Sequence, residues 1–229
     1  MIVLITGSNS GIGLATALRL ARRGDDVYAS VRDLEAASQL RELAASGQLH
    51  LRVFEMDVTN ESSVSAGVSR VLDEAGCIDA LVNNAGVSKM AAIEEASDAD
   101  LHRLFETNFH GPLRVIRAAL PSMRQQRHGV IVNVTSLLGR LVFTPMGPYA
   151  ASKYALEAAS EALAQEVRAF GVRIAIVEPG LILTPMLRDH ISVPASTLYA
   201  DQHRRAIAIW MRVARILIRR STTGMEGGT

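Results

Sequence analysis

The stretch Ile2-Val3-Leu4-Ile5-Thr6-Gly7-Ser8-Asn9-Ser10-Gly11-Ile12-Gly13 decides the fold of these 229 residues. Its apolar run reads as a strand buried on both faces, and a helical pattern over 11–23 follows at once. Gly7 permits a sharp exit from the strand, Gly11 lets backbone approach a pyrophosphate, and Gly13 lets helix and sheet pack closely. Ser8, Asn9, Ser10 and Ile12 complete a turn whose amides, with the helix N-terminus, can cradle phosphate oxygens. Three residues rather than one separate the first two glycines. A plain Gly/Ser turn capping a helix is therefore the competing reading, weakened by its place directly after the first strand.

Working outward, short apolar runs alternate with longer amphipathic ones. Strands are predicted at Ile2–Thr6, Asp26–Val31, Leu49–Glu55, Asp79–Asn83, Val130–Val134 and Val172–Glu178, with helical patterns near 11–23, 34–46, 61–75, 98–125 and 149–169. Alternation with crossovers of this length predicts an α/β fold: a doubly wound parallel sheet, Rossmann-like, in a single domain. Residues 1–190 form its core. Residues 191–229 form a substrate loop, a C-terminal helix over 203–220 and a small polar tail of the same domain.

Composition adds boundaries. A net charge of +1 gives no reason to expect a nucleic-acid partner. The single cysteine, Cys77, allows no intramolecular disulfide, and no run is long and apolar enough for a membrane span, so a cytoplasmic protein is expected. No metal-ligand cluster stands out. The 203–220 helix carries Arg205, Arg212, Arg215 and Arg219 on one face, which suits a lid or a dimer contact as well as a membrane surface, and a membrane partner is not expected.

At the end of the second strand, Tyr28-Ala29-Ser30-Val31-Arg32-Asp33 bears on cofactor choice. A carboxylate there would bond a ribose 2′-hydroxyl, whereas an arginine suits a 2′-phosphate. Val31 stands where the acid is expected and Arg32 follows, which favours NADP; a solvated residue at a helix start is the alternative. Asp57-Val58 can hold adenine, or Asp57 can serve the dipole of the next helix. The amides of Asn83-Asn84-Ala85-Gly86 can fasten strand ends or the adenosine, or form a plain turn.

The chemistry is expected at the other end of the sheet. Tyr149-Ala150-Ala151-Ser152-Lys153 places a phenol and an amine at i and i+4 on one helix face. A tyrosine, with a free pKa near 10, becomes a usable acid–base if a neighbouring ammonium pulls that value down. The chain has only two lysines, Lys89 and Lys153, so this placement is informative. Ser136 ends the fifth strand, where open α/β sheets bind ligands, and can donate to a substrate oxygen; Thr135 is an alternative. Asn108 interrupts the 98–125 pattern just before Gly111-Pro112, where it could kink the helix and hold a water.

Thr6-Gly7-x3-Gly11-Ile12-Gly13, Asp57, Asn83-Asn84-Ala85-Gly86, Asn108, Ser136, Tyr149-x3-Lys153 and Pro179-Gly180 together resemble the short-chain dehydrogenase/reductase family, over roughly residues 2–190. The resemblance implies an NADP(H)-dependent oxidoreductase interconverting a carbonyl and an alcohol. Asn108, Ser136, Tyr149 and Lys153 would form its catalytic set, with a proton relay from Tyr149 through Lys153 to an Asn108-held water. It implies that Ile182 and Thr184 hold the nicotinamide and that the subunits form a homodimer or homotetramer. The run Tyr28–Leu34 looks like the hydroxysteroid and retinol dehydrogenase branch, which implies an apolar small-molecule substrate against Leu138, Phe143, Met146, Leu181 and Met186. A seventh strand, usual in that family, is not found. A nucleotide-sensing or scaffolding protein on the same fold is the alternative; it would be expected to have lost Ser136, Tyr149 or Lys153.

Overall fold

The computed structural model describes residues 1–46, 48–182, 184–188, 198–209 and 212. Six parallel strands form one sheet: β1 (Ile2–Ile5), β2 (Asp26–Val31), β3 (Leu51–Glu55), β4 (Ala80–Asn83), β5 (Gly129–Val134) and β6 (Val172–Val177), in the spatial order β3-β2-β1-β4-β5-β6. All six predicted strands are present, with ends shifted by at most two residues. The winding reverses between β1 and β4. The carboxyl ends of those two strands diverge there, leaving the crevice where such sheets bind ligands.

Period two along the strands builds two cores. Leu4, Tyr28, Leu81 and Ile131 face α3 (residues Glu61–Ala75) and α5 (Gly111–Gln126), which contribute Val64, Val68, Val71, Val115, Ile116 and Met123. Val3, Ile5, Val27, Ala29 and Val31 face the other way, against Ala17 and Ala21 of α1 (Gly11–Arg22) and Leu40 of α2 (Ser38–Ala45). Each such large aliphatic side chain contributes on the order of 1.5–3 kcal/mol by leaving water, so one-residue register slips are strongly disfavoured.

The 98–125 pattern is not one helix. It runs as α4 (Asp98–Phe105), a π-helical turn (Glu106–His110) and α5. Pro112 has no N–H to give the carbonyl of Asn108 four residues earlier, and the Asn108 side chain is drawn out of the helix by backbone partners at Val87. The kink expected at Asn108 is thus a π bulge. The helix α6 (Gly147–Val167) begins two residues before Tyr149, with Pro148 in its first turn. After β6 the structure describes a short α7 (Pro185–Arg188) and a helical stretch over 200–209. The expected helix over 203–220 is therefore seen to 209 and at 212, and 210, 211 and 213–220 lie outside the described residues. Among the described residues no helix is long and apolar enough to cross a membrane.

Gly13, expected to let helix and sheet pack closely, sets the contact of α1 with the β1 turn and does not itself line the cleft. A Cβ there would stand 2.2 Å from the Gly7 carbonyl oxygen and 2.4 Å from Asn84 Nδ2. Both are fixed atoms, so Gly13→Ala should destabilise the fold by about 1–3 kcal/mol, as overpacking does. A lowered urea midpoint, with dinucleotide affinity lost alongside it, is the expected result.

Candidate active site

The turn after β1 is built as the glycine spacing requires. Gly7 and Gly11 have φ of +68° and +56°, and a Cβ on Gly7 would lie 2.7 Å from the Ala85 Cα. Ser8 corrects its expectation: it is fully buried, its hydroxyl donates to the Ile5 carbonyl and its N–H to the Ser30 carbonyl. It holds the turn and does not line the cleft. Ser10 is the N-cap of α1, yet its side chain makes no capping hydrogen bond, and no acid stands in the first turn. The leading N–H groups are left for an anion, so these residues fit a dinucleotide pyrophosphate.

From that turn a cleft of about 690 Å³ runs to Tyr149 and Lys153. Asn9, Ser10, Gly11, Ile12, Arg32, Asp57 and Val58 line its nucleotide end. Arg32 directly follows β2, is exposed, and has no hydrogen bond or ion pair among the described residues. Asp33 reaches the cleft too, but its Oδ1 accepts from Glu35 N at 2.9 Å. Asp57 accepts from the Thr59 amide and hydroxyl at 2.9 and 2.8 Å, and α3 is capped by Asn60 instead. The helix-dipole reading of Asp57 is thereby excluded, since it lies outside that helix. Of the two amides at the end of β4, Asn83 donates to Asn133 Oδ1 on β5, and Asn84, just beyond the strand, donates to the Thr6 and Gly7 carbonyls. Both fasten strand ends, and Asn84, Ala85 and Gly86 also line the cleft.

At the far end Tyr149 is 8% exposed and Lys153 4%. Tyr149 and Ser136 both line this end of the cleft, and Ser136 Oγ accepts from Leu138 N at 3.1 Å. Thr135 is no substitute for Ser136, because its hydroxyl is tied to the Val177 carbonyl at 3.0 Å. Lys153 Nζ donates to the Val134 carbonyl at 3.0 Å and stands 5.9 Å from the Tyr149 ring centroid.

The ionisations correct one expectation. Burial pushes the Tyr149 phenol above its ordinary 10.0, with the Ser136 hydroxyl acting the other way, so the phenol is not made acidic in this structure. Burial also draws the Lys153 ammonium down from 10.5 to about 8, with Glu157 opposing. Burial disfavours the charged form of both groups.

Asn108 does not line the cleft. Its Oδ1 accepts from Val87 N at 2.9 Å, and its Nδ2 donates to the Val87 carbonyl at 2.8 Å and to Ser152 Oγ at 3.0 Å. Ser152 in turn donates to the Tyr149 carbonyl at 2.7 Å. The side chain thus joins the π turn to α6.

Leu138, Met146, Leu181 and Met186 wall the catalytic end, as do Pro179, Gly180 and Ile182. Phe143 does not: it stands outside the cleft, 45% exposed, on the loop before α6. Thr184 closes over the glycine turn, its Cγ2 3.2 Å from where a Gly11 Cβ would be. Sequence reasoning missed Val87, Met90, Arg103 and Thr107 in the cleft wall. Arg103 and Thr107 are one turn apart and Thr107 adjoins Asn108, a helical spacing that could have signalled them.

A family model for short chain dehydrogenases matches residues 1–193. The chain belongs to the short-chain dehydrogenase family. It is 36% identical over 217 residues to the uncharacterized oxidoreductase YusZ of Bacillus subtilis, covering 92% of this chain and 77% of that one. It is 35% identical over 228 residues to an NADPH-dependent pterin aldehyde reductase of Arabidopsis thaliana, covering 99% and 91%. Identity to retinol dehydrogenase 8 of Bos taurus is 41% over 189 residues, 80% of this chain and 59% of that relative. Among solved structures, a short-chain dehydrogenase from Streptomyces avermitilis superposes with a TM-score of 0.76 at 39% identity, over 81% and 67% of the two chains. A gluconate 5-dehydrogenase from Burkholderia cenocepacia, in complex with NADP and tartrate, superposes with a TM-score of 0.78 at 29% identity, over 85% and 76%. This short-chain dehydrogenase therefore shares its sheet with a nucleotide-binding oxidoreductase fold.

The buried lysine has a measurable cost. Between pH 8 and 10.5 the unfolded chain holds a proton that the folded one has lost, so this group makes stability rise with pH across that window. Below pH 8 the full penalty applies, roughly 3 kcal/mol before the Val134 hydrogen bond is credited. Lys153→Met should therefore be more stable than the native chain in urea at pH 7, and the gap should narrow as pH approaches 10.

Proposed function

We propose that the chain catalyses NADP(H)-dependent interconversion of a carbonyl and a primary or secondary alcohol on a small apolar substrate. The observation that carries this reading is that Ser136, Tyr149 and, one turn along, Lys153 line the same cleft that begins at the glycine turn. When bound, the nicotinamide supplies or accepts the hydride. Everything else falls to the chain.

Ser136 donates to the substrate oxygen and orients it towards Tyr149. In reduction the Tyr149 phenol gives its proton to the developing alkoxide; in oxidation the phenolate takes the alcohol proton. Lys153 bonds the nicotinamide ribose and, as an ammonium, favours the phenolate; the cation of an oxidised nicotinamide beside it would act the same way. Asn108 positions this pair through Ser152. Asn9, Ser10, Gly11 and Ile12 receive the pyrophosphate, Asp57 and Val58 the adenine, and Ile182 and Thr184 the carboxamide. The free guanidinium of Arg32 supports NADP over NAD, as do the NADPH-dependent relative and the NADP-bound neighbour. Leu138, Met146, Leu181 and Met186 support an apolar substrate. The retention of Ser136, Tyr149 and Lys153 together leaves nothing in favour of a non-catalytic scaffold.

NADPH consumption against a panel of ketones, aldehydes and steroids tests the reaction. Tyr149→Phe should lower turnover by at least about a hundredfold while NADPH still binds. A variant retaining a substantial fraction of activity would remove Tyr149 from the role. Because burial raises the phenol pKa, reduction should hold steady through neutral pH and decline only in alkali, whereas alcohol oxidation should climb there. In fluorescence titrations NADPH should bind more tightly than NADH, with Arg32→Ala narrowing the difference; equal affinities in the native chain would decide against NADP. The subunits should pair at least as dimers, and a monomer mass in light scattering at micromolar concentration would exclude this.

A further inference from the structure

Three side chains stand one turn apart along α6: Tyr149, Lys153 and Glu157. The first two belong to the site described above, and the third has had no part in it. Glu157 is only 3% exposed, and neither of its carboxylate oxygens makes a hydrogen bond. Its close charged contact is Arg140, whose Nη2 lies 3.3 Å from Oε2, an ion pair without hydrogen-bond geometry. A buried carboxylate so poorly solvated is costly to keep, which makes it a candidate for a role in the adjacent chemistry.

The surroundings say what that role is. Arg140 directly follows the turn Leu137–Gly139, the same turn that Ser136 caps. Its guanidinium also bonds Glu161 on α6 at 2.9 Å and Glu178, the residue before Pro179-Gly180, at 3.0 Å. The turn lies directly on the Lys153–Glu157 stretch. A Cβ on Gly139 would stand 2.9 Å from Glu157 Cγ and 3.4 Å from the Lys153 carbonyl oxygen.

We infer that Glu157 is a positioning residue for the Tyr149–Lys153 pair: its buried carboxylate holds Lys153 as the ammonium, while Arg140 anchors the Ser136 turn against the same carboxylate. This rests on the proposed reading of the site. The charged groups that face Glu157 are Lys153 and Glu161 from its own helix and Arg140 from the turn, and Glu178 reaches it only through Arg140. Lys153, for its part, is opposed by burial and supported by Glu157 alone among charged groups.

The scarcity of lysine makes the test direct. In the full-length chain labelled at lysine Cε with 13C, only Lys89 and Lys153 give signals. Titrated by NMR without cofactor, Lys153 should show a midpoint near 8. Glu157→Gln keeps the shape and removes the charge, and should lower that midpoint by about one pH unit. Glu157→Asp withdraws the charge by one methylene and should lower it by less, which keeps the test open if the glutamine variant folds poorly. Glu161→Gln removes an exposed carboxylate from the same arginine and should leave Lys153 unmoved, and Lys89 should not respond to any of the three. A Lys153 midpoint unchanged in both Glu157 variants, or shifted equally by Glu161→Gln, would overturn the inference. The titration needs no turnover. The expected shifts in a chain that reduces no carbonyl would support the role of Glu157 and count against the proposed reaction alone.

Discussion

Four hydrogen bonds knot the end of β1 to the end of β4: Thr6 Oγ1 accepts from the amides of Asn84 and Ala85, and Asn84 Nδ2 donates to the Thr6 and Gly7 carbonyls. This knot sits where the winding of the sheet reverses, and the cleft exists because the two chains separate immediately beyond it. Gly7 and Gly13 are glycines for the same reason. Any Cβ at either would collide with the knot, so the phosphate turn and the Asn-Asn-Ala-Gly turn are parts of one object. Weakening it would move the floor of the nucleotide end and, through Val87, the π turn that carries Asn108.

A second chain of contacts fixes the catalytic end. Val87, Asn108, Ser152 and the Tyr149 carbonyl are linked in series, so hydrogen bonds as well as the apolar packing of Val87 and Met90 tie the chain after β4 to the start of α6. Polar links of this kind hold geometry more narrowly than aliphatic contacts, because each has a preferred direction as well as a distance. What they hold is energetically unfavourable in isolation. A phenol and an ammonium are both stripped of water, and a carboxylate is buried behind them. A site in which burial disfavours the charged forms of Tyr149 and Lys153 is poised to respond when a charged ligand arrives, since the ligand then changes the local field more than water would allow.

The short apolar runs and their glycine punctuation made the six strands legible, because burial on both faces demands apolar residues and exits from such strands demand turn chemistry. Asn108 illustrates the limit. Its place as a helix-breaking residue before Gly-Pro was readable, but its partners at Val87 and Ser152 are 21 and 44 residues away in the chain. Ser8 and Phe143 were misjudged for the same reason. Proximity in sequence to a motif says nothing about which way a side chain turns, and Ser8 turns into the sheet while Phe143 stays on the rim.

The sequence by itself determined the doubly wound sheet, the order of its motifs, and the placing of Tyr149 and Lys153 on one helix face, because strand periodicity, turn glycines and an i,i+4 pair are local properties of the chain. Only the tertiary structure decided their ionisation, the choice of Ser136 over Thr135, and the presence of Glu157 and Arg140 behind the lysine. These depend on burial and on contacts between β5, α6 and the chain beyond β6, and desolvation is a property of the packed whole that no local spacing encodes.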